Sequence, residues 1–154
     1  MLNVRAMFAS AAFVLAFSLG GLTWADGPTA SSAPQMTVYK SPSCGCCGKW
    51  VEHMEENGFQ VTVKNTDDLD PIKFIAGVPD KLQSCHTATI DGYVIEGHVP
   101  AADVKRLLAE RPAAVGLSVP GMPIGSPGME MGDEKEPYPV ILFNGEDVSI
   151  YNRY

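Results

Sequence analysis

Three cysteines fall within four residues, Cys44-Gly45-Cys46-Cys47, and a fourth, Cys85, stands beside His86. Any fold open to this chain must carry the trio through a turn tight enough for several sulfur atoms to face one point. Gly45, which has no Cβ, supplies backbone freedom in the middle of it. Thiols packed this densely serve a soft metal ion or store an electron pair as a disulfide.

The residues around the trio predict alternating strands and helices. Met36 to Lys40 alternates, with β-branched and aromatic side chains, and reads as a strand ended by Ser41-Pro42-Ser43. From Gly48 the period changes to that of a helix with Trp50, Val51, Met54 and Phe59 on one face, stopping at Asn57-Gly58. A second strand follows at Phe59 to Lys64, with Phe59, Val61 and Val63 on one side. Asp67 or Asp68 then caps a helix containing Ile72, Phe74 and Ile75, broken by Gly77 and Pro79. Thr87 to Ile90 and Tyr93 to Glu96 pair across the Asp91-Gly92 turn. Pro100 starts a further helix with Val104, Leu107 and Leu108 as its buried stripe and Arg111-Pro112 as its stop. Between Gly116 and Pro139 no period appears; Gly, Pro and Met dominate, and so long a loop in a compact domain is usually functional or disordered. Val140 to Phe143 and Val148 to Tyr151 close the chain as a hairpin around Asn144-Gly145. The class is α/β, opening as βαβα.

The first residues bear on location. Met1 to Arg5 is short and basic, Ala6 to Leu22 is uncharged, and Thr23-Trp24-Ala25 offers small residues at the two recognition positions before Asp26. Residues 1–25 therefore read as a secretory signal; the competing reading is a membrane anchor, since the apolar run approaches the ~20 residues that span a bilayer. Residues 26–34, rich in Gly, Pro, Ala and Ser, form a flexible leader, and residues 35–154 one domain of ordinary size. With Arg5 removed, ten basic side chains face eighteen acidic ones, a net charge of −8 with neutral histidines. Nucleic acid is thereby excluded as a partner, because phosphate binding draws on clustered Lys and Arg. No membrane association is expected after cleavage. Export would place the thiols in an oxidising compartment, where they persist as disulfides, under metal or in a redox cycle.

Cys44 and Cys47 stand in C-x-x-C spacing where a strand hands over to a helix, whose N-terminus stabilises a thiolate. Cys46 adds a third sulfur, and Cys85, arriving from elsewhere, brings the count to four. Zinc held by four cysteines normally uses two separated pairs, and iron-sulfur clusters use longer spacings than C-x-C-C. Thiolate and thioether sulfur suit Cu(I), and the loop bearing Met122, Met129 and Met131 offers neutral sulfur that zinc rarely takes. Three thiolates on one turn cannot each complete the shell of a separate ion, so thiolates shared between several Cu(I) ions are expected. Two structural disulfides, in any of three pairings, are the alternative; a bridge between neighbours such as Cys46 and Cys47 would be strained. His86 and His98 read as copper ligands, proton relays or plain hydrogen-bonding groups. The loop methionines read as ligands or as gap filling, Met36 and Met54 as core, and His53 as part of a solvated face.

The segments KSPSCGCCGKWVEHMEENGF, SCHTATIDGYVIEGHVPAADVKRLLAERP, VGLSVPGMPIGSPGMEMG and PYPVILF together resemble the small exported DUF-type metal-binding family that includes the copper-resistance protein CopG. The resemblance spans most of Met36 to Phe143. It implies a thioredoxin-like α/β fold, a central mixed sheet flanked by helices with the long Gly/Pro/Met loop, in the periplasm of a Gram-negative bacterium. It further implies binding of several copper ions. Carried over residue by residue, Cys44, Cys46 and Cys47 match the family's thiol trio and Cys85 its fourth cysteine; Met122 falls in its PGMP segment and His98 in its EGHVP segment. The expected function is a periplasmic copper-binding protein that holds Cu(I) in a cysteine-thiolate cluster for copper resistance, with copper ions and other periplasmic copper-handling proteins as partners. Oxidoreductase chemistry on copper is an extension, since Cu(I) thiolate and disulfide differ by electrons on the same sulfurs. The rival is a thiol-disulfide oxidoreductase of protein substrates, with Cys44 attacking and Cys47 resolving. It leaves Cys46 and Cys85 without a task, and no proline immediately precedes the strand after Cys85, where thioredoxin-like chains present a cis-proline to their redox pair.

Overall fold

Strands β1 (Gln35–Lys40), β2 (Gln60–Asn65), β3 (His86–Ile90), β4 (Tyr93–Gly97), β5 (Gly116–Val119), β6 (Pro139–Asn144) and β7 (Asp147–Arg153) form one open mixed sheet in the order β2-β1-β3-β4-β5-β6-β7. This computed structural model describes residues 33–154; residues 1–25, read above as a signal, and the expected leader up to residue 32 lie outside the described residues. Helices α1 (Gly45–Glu56) and α3 (Ala101–Glu110) make the crossovers that parallel neighbours need, joining β1 to β2 and β4 to β5. The remaining neighbours are antiparallel. A short α2 (Asp70–Ile75) and a 3-10 turn at Asp80–Leu82 lead into β3. Among the described residues no helix is long and apolar enough to cross a membrane.

The predicted periodicities account for the core apart from Leu117 and Val119 of β5. Met36 and Val38 of β1, Trp50, Val51 and Met54 of α1, Val104 and Leu107 of α3, and Ile95, Leu117 and Val119 of the central strands are buried together. Trp50 also donates its indole N–H to the Val99 carbonyl, 2.9 Å away, so its one polar atom is satisfied inside. At the β3-β4 turn both Asp91 (φ 48°) and Gly92 (φ 85°) are left-handed, the conformation that matches strand twist in a two-residue hairpin.

The fold departs from the sequence reading in four places. The first helix starts at Gly45 rather than Gly48, because Cys44 caps it: the Cys44 sulfur accepts the Cys47 N–H at 3.4 Å, which puts Cys46 and Cys47 into the first turn. β2 lies at the sheet edge, so Val61 is half-buried and Val63 exposed although the alternation promised an inward face. α2 begins at Asp70 with no side-chain cap; Asp68 instead accepts the Asp70 N–H, and the helix turns Phe74 (85% exposed) and Ile75 (82%) outward while burying Lys73. Finally, Gly116–Val119 is a buried strand parallel to β4, inside the stretch that shows no period. A strand covered on both faces carries no alternation. Gly116 opens it because a Cβ there would overlap the Val94 backbone.

The loop after β5 returns to the start of α1. Gly128 (φ +84°) lies so close to that helix that a Cβ would sit 2.6 Å from the Cys46 carbonyl oxygen and 2.8 Å from the Trp50 nitrogen. Gly132 (φ +65°) has the same handedness in open space. Replacing Gly128 with Ala should cost about 2–4 kcal/mol, backbone strain and overlap together, against about 1–2 kcal/mol for Gly132→Ala. Urea unfolding of the two variants measures the difference; equal losses would mean that the loop does not pack on α1.

Candidate metal centre

Antiparallel pairing sets the site. Lys40, the last residue of β1, is opposite His86, the first of β3, so the turn leaving one strand lies beside Cys85 entering the other. That turn is closed by the Cys44 N–H donating to the Ser41 carbonyl at 3.1 Å. Cys44 and Cys47 are joined as a disulfide, while Cys46 and Cys85 are free. The Cys46 sulfur is 3.4 Å from that of Cys44, and the Cys85 sulfur 3.5 Å from that of Cys47. All four sulfurs lie within 4.8 Å of one another, a bridge with a thiol at each end.

Cys85 is also the meeting point of two imidazoles. His98 Nε2 lies 3.0 Å and His86 Nδ1 3.4 Å from its sulfur. His98 Nδ1 is 2.8 Å from the Pro127 carbonyl oxygen. A carbonyl only accepts, so the His98 proton sits on Nδ1 and the Nε2 lone pair faces the sulfur, the arrangement of a metal-ligating histidine held by an outer hydrogen bond. His86 is fully buried between Trp50 (ring centroids 4.4 Å apart) and the edge of His98 (5.1 Å). Its Nε2 has no hydrogen-bond partner among the described residues. Leaving such an atom unpaired costs about 1–3 kcal/mol.

Of the six residues singled out as metal ligands, the structure brings together Cys44, Cys46, Cys47 and Cys85, and places His98 with His86 against the Cys85 sulfur. Met122 is placed differently: it is 51% exposed and follows Gly121, whose backbone N–H donates to Gln83 at 3.2 Å and whose carbonyl accepts the Ser84 hydroxyl. Met122 is thus carried to the peptide that precedes Cys85. Met129 is half-buried and Met131 exposed.

Two solved structures are similar to this chain over most of its length. Both are named copper resistance protein CopG; Form 2 matches with a TM-score of 0.76 and 45% identity over 79% of this chain and 98% of its own, and Form 1 with 0.74 and 47% over 78% and 96%. The chain belongs to the CopG family. The family described as "Protein of unknown function, DUF411" matches residues 82–129, a segment that holds Cys85, His86, His98 and Met122 but not the thiol trio. No curated protein matches.

In this CopG-family chain, burial decides the protonation of the site. Burial, then repulsion from Cys46, pushes the Cys85 thiol up to about 12. Burial lowers His98 and holds His86 well below the usual imidazole range. At neutral pH Cys85 is therefore a thiol and both imidazoles are neutral, and an entering cation must displace a proton. His53, expected on a solvated face, is half-buried, and its Nε2 accepts the Ala101 N–H at 3.1 Å. It caps α3, which begins without a side-chain cap of its own.

Sequence reasoning missed the Pro127 carbonyl behind His98 and the buried pair Lys73 and Glu96, 2.5 Å apart. The only sequence signal for the pair is charge inside apolar runs, Lys73 between Ile72 and Phe74 and Glu96 after Val94-Ile95. Loading Cu(I) onto the reduced protein should release at least the Cys85 proton. Apparent affinity should then fall as pH falls from about 8 to about 6, roughly tenfold per unit for each proton displaced. Chelator competition across that range measures it, and a pH-independent affinity would contradict the protonated Cys85.

Proposed function

We propose that the protein is an exported copper-binding protein that takes Cu(I) as cargo in a cluster of Cys44, Cys46, Cys47 and Cys85, with His98 and Met122 as additional ligands. One observation carries this reading: four cysteine sulfurs from two segments 38 residues apart converge within 4.8 Å. The donor set is soft, as Cu(I) prefers, and contains no carboxylate. With four sulfurs so close, several ions share thiolates. The names of the solved relatives agree with a role in copper resistance. A periplasmic location follows from the signal read over residues 1–25. The order β2-β1-β3-β4, with α1 crossing over between the parallel pair and α3 following the hairpin, supports reading the fold as thioredoxin-like.

The Cys44–Cys47 bridge favours a redox component. Opening it takes two electrons and two protons, supplied by an external dithiol, and yields the four thiols that the cluster requires. With the bridge closed only Cys46 and Cys85 remain. The site then loads copper in one redox state and withholds two sulfurs in the other. The same bridge supports the second reading, thiol-disulfide exchange on protein substrates with Cys44 attacked and Cys47 released. The thiols flanking the bridge favour copper.

Cys46→Ser separates the two readings. It leaves the C-x-x-C pair intact, so disulfide exchange should persist, while tight Cu(I) loading of the reduced protein is lost; anaerobic titration that still finds stoichiometric copper in this variant would reject the four-thiolate cluster. Met122→Leu keeps the volume and removes the sulfur. Copper affinity should drop on the order of tenfold with little change in thermal unfolding, and unchanged affinity would return Met122 to loop packing.

A further inference from the structure

α2 sends a charged side chain into the domain and its two largest exposed apolar side chains out. Its Phe74 and Ile75 face outward, and Lys73 reaches inward, its ammonium 2.5 Å from Glu96 Oε1 and 3.1 Å from Thr87 Oγ1. Glu96 has no solvent exposure, and both of its oxygens are engaged. Oε2 accepts the Thr87 hydroxyl at 2.7 Å; Oε1 accepts, besides Lys73, the backbone N–H of Ser84 at 2.7 Å. A buried ion pair rarely stabilises a fold more than an apolar pair of the same volume would. The bond to Ser84 gives this one a specific role, because the next residue is Cys85.

Four contacts hold that peptide. The Glu96 carboxylate takes the Ser84 N–H, the Gly121 N–H donates to the Gln83 carbonyl at 3.2 Å, the Ser84 hydroxyl donates to the Gly121 carbonyl, and Gly97 (φ +70°) lets Ser84 pack against it where a Cβ would strike the Ser84 side chain. Cys85 itself lies ahead of β3, which begins at His86, so the register of the sheet does not by itself fix its sulfur.

We propose that Glu96, its charge balanced by Lys73, is the positioning residue for Cys85: by holding the Ser84 N–H it sets the fourth sulfur at its place beside Cys47 and His98. The proposal rests on the copper reading above. Glu96 touches no sulfur and acts through Cys85. Its carboxylate is what α2, β3 and the Ser84 peptide share, so a group outside the cluster decides whether four sulfurs or three are presented to the ion.

Glu96→Ala alone would strand the Lys73 ammonium in the interior and risk unfolding, so the test uses two neutral double variants. Lys73→Met with Glu96→Gln removes both charges and keeps an oxygen to accept the Ser84 N–H; Lys73→Met with Glu96→Leu removes the charges and the acceptor while keeping the volume. Each is made with and without Cys85→Ser, melted to establish that it folds, and titrated with Cu(I) under reducing, anaerobic conditions. The glutamine variant should bind Cu(I) within about threefold of the parent, and the leucine variant on the order of ten- to a hundredfold more weakly, the range for groups that orient a metal ligand. In the Cys85→Ser background the difference between the two should vanish. Equal affinities of the two double variants would overturn the proposal, as would a difference that persists without Cys85. If Cys85→Ser alone leaves Cu(I) affinity unchanged, the four-thiolate reading fails and the positioning role falls with it; a weakened Cys85→Ser with equal double variants removes the positioning role only.

Discussion

Because β1 and β3 run antiparallel with Lys40 opposite His86, the turn that leaves one strand and the residue that enters the other are brought to the same end of the sheet. The rest of the site is built on that register. The turn caps α1 with Cys44 and winds Cys46 and Cys47 into the first helical turn, where unpaired amides and the helix dipole favour negative sulfur. The strand delivers Cys85 to meet them, with His86 immediately behind. A slip of one residue would turn every side chain of β3, His86 included, to the opposite face and shift the segment that carries Cys85.

The interior next to these sulfurs is polar to a degree that core packing does not explain. His86, His98, Lys73, Glu96 and Thr87 are all buried, and all lie on β3, β4, α2 or the segment just after β4. Most are satisfied: His98 by Pro127, and Glu96 by Lys73, Thr87 and Ser84. His86 Nε2 is the exception. A buried polar network is favourable only when its members are paired, and this nitrogen lies beside the thiol cluster without a partner among the described residues. The loop after β5 completes the enclosure, its Gly128 on the backbone of α1 and its Pro127 on His98.

Much of the fold is legible residue by residue. The alternation of Met36 and Val38, the helical spacing of Trp50, Val51 and Met54, the Asp91-Gly92 turn and the stripe of Val104 and Leu107 each locate an element, because a half-buried element must place its apolar side chains at its own period. Where burial is not half-and-half the reading fails. β5 is covered on both faces and shows no period, β2 sits at an edge and needs no inward face, and α2 buries a lysine while Phe74 and Ile75 face outward. His53 was misread for a related cause: its neighbours in sequence are charged, but its partner is the Ala101 amide, 48 residues away.

The chemical character of the site was present in the sequence alone. A C-x-C-C trio at a strand-to-helix junction, with a fourth cysteine and a methionine-bearing loop, specifies soft donors whatever the fold, because donor identity is a property of residue type. Which sulfurs pair, which imidazole nitrogen faces them and which carboxylate holds Cys85 in place were decided only by the tertiary structure. Those are distances between groups far apart along the chain, such as His98 and Pro127 or Glu96 and Ser84, and local propensity contains no information about them.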